Sequence, residues 1–335
     1  CLRLDKNLKS YDGIKCDQSF TLFNLGQVKR YLANSKELQE AKDYYERALG
    51  ILNECKSNSS VMVYKVAILH NLGSFYTYNG DIDNAKNVLV LAKEIVDKYF
   101  PSHLMRIFIY EDNANLLYHM GMYNEAKKSL EECDQIRLAI PIYSKNHHRV
   151  GYAKSILGIV LCNMNYIYDG IVTLKQAEKI YKKNFKEDHC YFAFLYIYMS
   201  YAYEIHKEYD KALQYLIKAQ KISKKHWGEN SYLMFAHQLC PIDKFLNLDV
   251  SEKNVNYYIK ALKITKKLFG SGHIRISCYH YLLGQIFENT KDKYKAKQHY
   301  EEALKIANNQ HYNSEIFTKG NLENIKIIQK RLDKL

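Results

Sequence analysis

Thirteen histidines and eight cysteines are the side chains in this 335-residue sequence whose chemistry could go beyond packing. Histidine can ligate a metal or move a proton near neutral pH, and a cysteine thiolate can act as nucleophile or ligand. Both uses require several such groups to converge. His103, His147, His189 and His273 instead recur at one phase of a long internal period. That spacing spreads them along the molecule, and the expectation is a turn residue that bonds backbone near a helix start. His147 and His148 are chain neighbours, whose side chains are expected to point apart. The cysteines, at positions 1, 16, 55, 133, 162, 190, 240 and 278, form no CxxC and no zinc-finger spacing. Several replace small or apolar residues at repeat positions, so they read as reduced, packed thiols in a cytoplasmic compartment. No HExxH, P-loop, GxSxG or GxGxxG pattern occurs. The chain is therefore expected not to be an enzyme, with no catalytic residue, no metal site and no cofactor.

The elements that would carry these residues follow from that period. Segments such as EAKDYYERALGI, NAKNVLVLAKEI, KALQYLIKAQKI and KAKQHYEEALKI return seven times at spacings of 41 to 44 residues. Small-residue slots fall at Ala41, Ala85, Ala126, Gly170, Ala212, Asn254 and Ala296. Seven residues later come Ala48, Ala92, Cys133, Ala177, Ala219, Ala261 and Ala303. Within a unit, apolar residues recur at three- and four-residue steps in two parts, the helical period. Gly80 with Asp81, and Gly121 one unit later, mark the turn between the two helices. The first helix has its own small position, at Gly26, Gly73, Ala114, Gly158, Ser200 and Gly284, where the helices of a pair approach closely. One such unit cannot bury its apolar faces alone, so the units must stack. The expected fold class is all-α: a right-handed α-solenoid of seven helix pairs. The organisation read from the sequence is a lead-in over 1–18, seven units over 19–308 and a capping helix over 309–335. The sixth unit departs from the pattern, with Pro241 inside its first helix and Ile242 in the small slot. An interior proline costs a helix about 3 kcal/mol, so a local change in curvature is expected near 235–250.

The LGxxY core at Leu72-Gly73-Ser74-Phe75-Tyr76, followed by Ala85 and Ala92, resembles the tetratricopeptide repeat. The usual unit of that family is about 34 residues. The extra length here lies between units, in Phe100-Pro101-Ser102-His103, Phe185-Lys186-Glu187-Asp188-His189 and Phe269-Gly270-Ser271-Gly272-His273. Trp227-Gly228-Glu229-Asn230-Ser231 keeps the phase with Ser in place of His. This aromatic–turn–His connector resembles the kinesin light chain type of tetratricopeptide repeat. The resemblance spans about residues 19 to 308 and implies a protein-binding scaffold.

The resemblance also implies that the first helix of each pair lines a groove. Transferred onto this sequence, the groove phase selects His70, Asn71 and Ser74, then Phe108, Glu111 and Asn115. Tyr152, Ser155 and Ile159 follow, then Phe194, Ile197, Tyr198 and Tyr201. Leu239 and Asp243 come from the sixth unit, and Cys278, Tyr281 and Gln285 from the seventh. Asn24 and Asn71 precede Leu-Gly pairs as asparagines of kinesin light chains do, and would hold a peptide backbone; later units carry Asp112, Ile156, Tyr198, Cys240 and Leu282 there. The run from Tyr191 to Tyr203 is apolar on every face and contains five tyrosines. It reads either as a helix buried on several sides or as an aromatic pocket for a partner's apolar side chain.

The net charge is +13, and from Asp169 onward 28 Lys+Arg stand against 18 Asp+Glu. Lys182-Lys183, Lys224-Lys225 and Lys266-Lys267 form a basic ridge at intervals of 42 residues. The ridge reads either as compensation of helix dipoles or as an edge for an acidic partner. No stretch of 18 apolar residues is present, so no membrane span is expected. No RNA-binding aromatic motif accompanies the lysines, which disfavours nucleic acid. The expected function is a non-enzymatic scaffold that binds a peptide or protein segment in its groove. The alternatives are a peptide-responsive signalling regulator and a binder of acidic partners. Such regulators carry an N-terminal effector domain, and the residues before the first repeat are too few for one.

Overall fold

The structure is a computed structural model that describes residues 11–32, 35–56, 58–78, 81–101, 103–138, 146–227, 248–269, 271–272, 274–309 and 325–335. Secondary structure among these residues is helical throughout. The helices are α1 (Tyr11–Leu32), α2 (Ser35–Asn53), α3 (Ser59–Tyr78), α4 (Ile82–Tyr99), α5 (Leu104–His119), α6 (Tyr123–Leu138) and α7 (His148–Asn163). They continue with α8 (Ile167–Asn184), α9 (Cys190–Ile205), α10 (Tyr209–Trp227), α11 (Val255–Phe269), α12 (Ile274–Asn289) and α13 (Lys293–Asn308). A last helix, α14, covers 325–332. A 3-10 turn, Glu252–Asn254, leads into α11.

The chain forms two compact units. One comprises Cys1–Leu116 with Glu131–Pro141, and the other Leu117–Leu130 with Ile142–Leu335. In the first unit α1 packs on α2, α3 on α4, and α2 on α3. In the second, α7 packs on α8, α9 on α10 and α12 on α13, while α8–α9, α10–α11 and α11–α12 contacts join successive pairs.

All fourteen small-residue slots of the second helices are buried. Eleven of them, from Ala41 and Ala48 to Ala296 and Ala303, are alanines with 0–1 % exposure, so little room is left for a larger side chain. On the first helices the reason for glycine is direct. A Cβ on Gly26 would lie 2.6 Å from the Tyr45 ring, and one on Gly73 2.5 Å from Leu89. One on Gly284 would lie 2.6 Å from Tyr300.

The turn between the helices of a pair repeats as regularly as the slots. Gly121 has φ 73°, and Asn165, Lys207 and Lys291 take the same left-handed conformation at 72°, 62° and 63°. The residue after each donates to a carbonyl five residues back: Met122 to Leu117, Tyr166 to Leu161, Glu208 to Tyr203 and Asp292 to Phe287, all at 2.9 Å. Asp81 makes the same bond to Tyr76. This is the Schellman arrangement, which satisfies the orphan carbonyls of a helix end. Asp81 and Asp292 then cap α4 and α13, accepting from the Asn84 and Lys295 amides at 3.3 and 3.1 Å.

The connector histidines have a local role. His103, His147 and His189 each accept through Nδ1 from the amide two residues on, at 3.2, 3.3 and 3.3 Å, at the starts of α5, α7 and α9. The His189 ring also stacks on Phe185, with centroids 4.0 Å apart. The aromatic–His connector is thus a helix cap held by ring contact. Gly80, Cys240, Pro241, Ile242 and His273 lie outside the described residues, as does 235–247 of the segment where the change in curvature was expected.

Candidate functional site

The groove phase of the first helices divides into two layers. In the second unit, Tyr152 on α7 and Phe194 on α9 are half-buried, each six residues before the small position of its helix. Behind them the side chains sink into the helix contacts: Ser155 is 3 % exposed, Ile159 0 %, Ile197 2 %, Tyr198 9 %, Tyr201 4 %, Cys278 0 %, Tyr281 1 % and Gln285 9 %. Several of their polar atoms are used internally. The Ser155 hydroxyl donates to Gly151 O at 2.8 Å, the Tyr201 hydroxyl to Asn163 Oδ1 at 3.0 Å, and Gln285 to the Tyr281 hydroxyl at 3.3 Å. The run from Tyr191 to Tyr203 takes the buried form: from Phe192 to Tyr203 every residue except half-buried Phe194 is buried. Leu239 and Asp243 lie outside the described residues.

The first unit shows the same layering. His70 and Phe108 are half-buried, while Asn71, Ser74, Glu111 and Asn115 are buried. Asp112 accepts from Ser74 at 3.2 Å and meets His70 Nδ1 at 2.5 Å, so α3 is tied to α5 through a carboxylate. Asn71 donates to Ala67 O of its own helix at 2.7 Å. Glu111 pairs with Arg137 of α6. Asn24 is exposed.

The basic ridge lies at the ends of α8, α10 and α11. Lys182 reaches Glu178 at 3.1 Å, Lys183 donates to Asn146 at 3.0 Å, and Lys225 pairs with Asp188. The Lys225 ammonium holds the Asp188 carboxyl below the usual carboxylate range. Lys183, Lys224 and Lys267 are exposed, and Lys266 is half-buried.

A buried cluster in the second unit has no counterpart in the sequence reading. Glu204, at the end of α9 with 0 % exposure, accepts from Arg275 of α12 at 2.6 Å and from the Tyr257 hydroxyl at 2.6 Å. Arg275 also donates to the Tyr279 hydroxyl at 2.9 Å. Burial, first, and the neighbouring Glu204 charge push the Tyr257 hydroxyl well up, keeping it a donor. Glu204 and Arg275 are 71 residues apart, whereas Asn163–Tyr201 spans 38. One glutamate in an apolar run was the only signal for it, and nothing marked its partner. Among the described residues no group of three or more His, Cys, Asp or Glu is placed to hold a metal ion. Among the described residues no helix is long and apolar enough to cross a membrane.

The tetratricopeptide repeat family model matches at 66–95 and 279–310. No curated protein matches the sequence. Among solved structures, the apo form of RapI is similar over 86% of this chain and 97% of its own, with 16% identity and a TM-score of 0.57. NprR, in complex with its cognate peptide NprX, matches over 100% of this chain and 87% of its own, with 11% identity and a TM-score of 0.60. A putative kinesin light chain of Podosopora anserina with nearly identical TPR-like repeats covers 62% of this chain and 97% of its own, at 20% identity and a TM-score of 0.44. Residues 66–95 and 279–310 thus match tetratricopeptide repeats, and the fold is an all-α solenoid.

Proposed function

We propose that the chain is a non-enzymatic scaffold that holds an extended peptide or protein segment along its first helices, within seven units over 19–308 closed by a cap over 309–335. The observation that carries this reading is the pair Tyr152 and Phe194, half-buried at one phase of α7 and α9 and backed by a buried layer in which the Ser155 and Tyr201 hydroxyls bond internally. Such a surface offers apolar area on a rigid wall, so little ordering cost offsets the burial of a partner side chain. Arg149 lies over the Tyr152 ring at 5.5 Å, which adds a cation beside the aromatic face. NprR, which shares the fold, holds its cognate peptide. That likeness favours a peptide over a folded surface as the ligand here, and leaves a peptide-responsive regulator as the form such binding could take. The connector motifs Phe185–His189 and Phe100–His103 support kinship with kinesin light chain repeats.

The local partners of Lys182, Lys183 and Lys225 favour the dipole and connector role for the ridge over capture of an acidic partner. Screening a random peptide display library on the full chain tests the groove. Peptides selected on the wild type should lose roughly tenfold or more in affinity on Phe194→Ala, the scale of an aromatic anchor. They should be unaffected by Ile217→Ser, an exposed second-helix position. Equal binding to wild type and Phe194→Ala overturns the assignment. Tyr201 is the poorer probe, because it is 4 % exposed and its loss would disturb the fold.

A further inference from the structure

In the first helix pair, the start of α1 meets the end of α2 through three successive contacts. Lys15 pairs with Glu54 at 2.6 Å, Cys16 Sγ lies 4.0 Å from Cys55 Sγ, and the Ser19 hydroxyl donates to Ala48 O at 3.0 Å. We propose that Cys16 and Cys55 form a thiol–disulfide site, an oxidisable clasp that joins the two ends of this pair in response to a small-molecule disulfide such as glutathione disulfide.

Three features set this pair apart. The sulfurs already touch, and closing to a bond of about 2 Å needs a shift of about 2 Å. Cys55 follows α2 in a turn, with its amide bonded to Leu52 O at 3.3 Å, so its backbone can adjust without breaking a helix. Access is graded: Cys16 is half-buried and Cys55 is 8 % exposed. An oxidant thus reaches Cys16 first, while the salt bridge one residue away holds the second thiol beside it. The other described cysteines are placed differently. Cys133, Cys162 and Cys278 have 0–1 % exposure, and half-buried Cys190 contacts the His189 ring at 3.7 Å.

The chemistry balances with one oxidant molecule. The Cys16 thiolate attacks one sulfur of glutathione disulfide, the S–S bond breaks, and one glutathione thiolate leaves. The Cys55 thiolate then attacks the Cys16 sulfur of the mixed disulfide and expels the second glutathione thiolate. The two cysteines are oxidised, the oxidant is reduced to two thiols, and the two thiol protons pass through solvent to those products. The bond closes the loop of residues between positions 16 and 55, which removes freedom from the unfolded chain.

The test treats the full chain with glutathione disulfide, blocks remaining thiols, and maps a tryptic digest without reduction. The expected product has peptide 16–29 joined to 48–56, is reversed by dithiothreitol, and melts a few degrees higher than the reduced protein. Cys16→Ser should abolish both the joined peptide and the melting shift. A stable glutathione adduct on Cys16 without joined peptides, no reaction at either thiol, or a melting shift that persists in Cys16→Ser each overturns the proposal. The peptide map of the wild type decides it even if Cys16→Ser does not fold.

Discussion

At Gly170 a single methyl group has no room. A Cβ there would meet Cys162 Sγ and lie 2.6 Å from the backbone oxygen of Gly158, an atom that cannot turn aside as a side chain can. Gly170→Ala is expected to cost about 1–3 kcal/mol, the scale of overpacking a core. Gly50 is the contrast: it is helical, and a Cβ there meets nothing within 4 Å. Gly50→Ala should stabilise by about 0.5–1 kcal/mol, because it removes the unfolded-state freedom of a mid-helix glycine. Urea denaturation of both variants checks the pair, and similar midpoints for the two would contradict the packing argument. The distinction was half legible in the sequence. Gly170 occupies a slot filled by alanine in five of the seven units, which marks it as small. That it tolerates no carbon at all depends on how near the Gly158 carbonyl passes, and this distance belongs to the fold. The same holds for Glu204. Its position at the end of an apolar run is visible in the sequence, but the ion pair with Arg275 crosses 71 positions that no local pattern connects.

Among the elements, α12 and α13 carry the clearest pH dependence. His280 on α12 lies with its Nδ1 2.9 Å from Nδ1 of His299 on α13, and its Nε2 is buried without a partner among the described residues. Burial, then the His299 and Lys266 charges, push His280 down to about 3 from an ordinary 6.5. Burial and Lys266 lower His299 as well. A histidine depressed in the folded state binds its proton more readily when unfolded. The stability it confers is full above about 6.5 and is lost as the pH falls from there towards 3. Thermal or urea melts between neutral pH and pH 4 should show progressive acid destabilisation, and His280→Gln should flatten that slope. An unchanged slope in the variant would refute it. At this scale the turns were legible where glycine stood in them, as at Gly121. Asn165, Lys207 and Lys291 adopt the same left-handed turn without that signature. The stacking of the pairs fixes the path there, and the five-residue hydrogen bond offsets the strain of about 1–2 kcal/mol per residue.

For the whole molecule, the end of a repeat array is its vulnerable place, because the last unit has no neighbour to cover it. Helix α14 supplies cover in the second unit: Ile328 is 0 % exposed, and Arg331 reaches Glu288 of α12 at 3.4 Å. Glu288 in turn accepts from the Tyr300 hydroxyl of α13 at 2.7 Å. Removing residues 310–335 is expected to expose this face, lower the melting midpoint and promote concentration-dependent association, read by differential scanning calorimetry and light scattering. A truncated chain as stable and as monodisperse as the full one would show that the cap contributes nothing. The sequence by itself determined that the chain is built of helix pairs, where a glycine marks the turn within a pair, and which second-helix positions must be small. Those properties repeat every 41 to 44 residues, so local spacing encodes them. Only the tertiary structure decided which of these first-helix side chains are half-exposed and which are buried, that Glu204 meets Arg275, and that Cys16 meets Cys55. Each of these depends on distances between segments far apart in the chain, and packing sets those distances after the helical period has done its part.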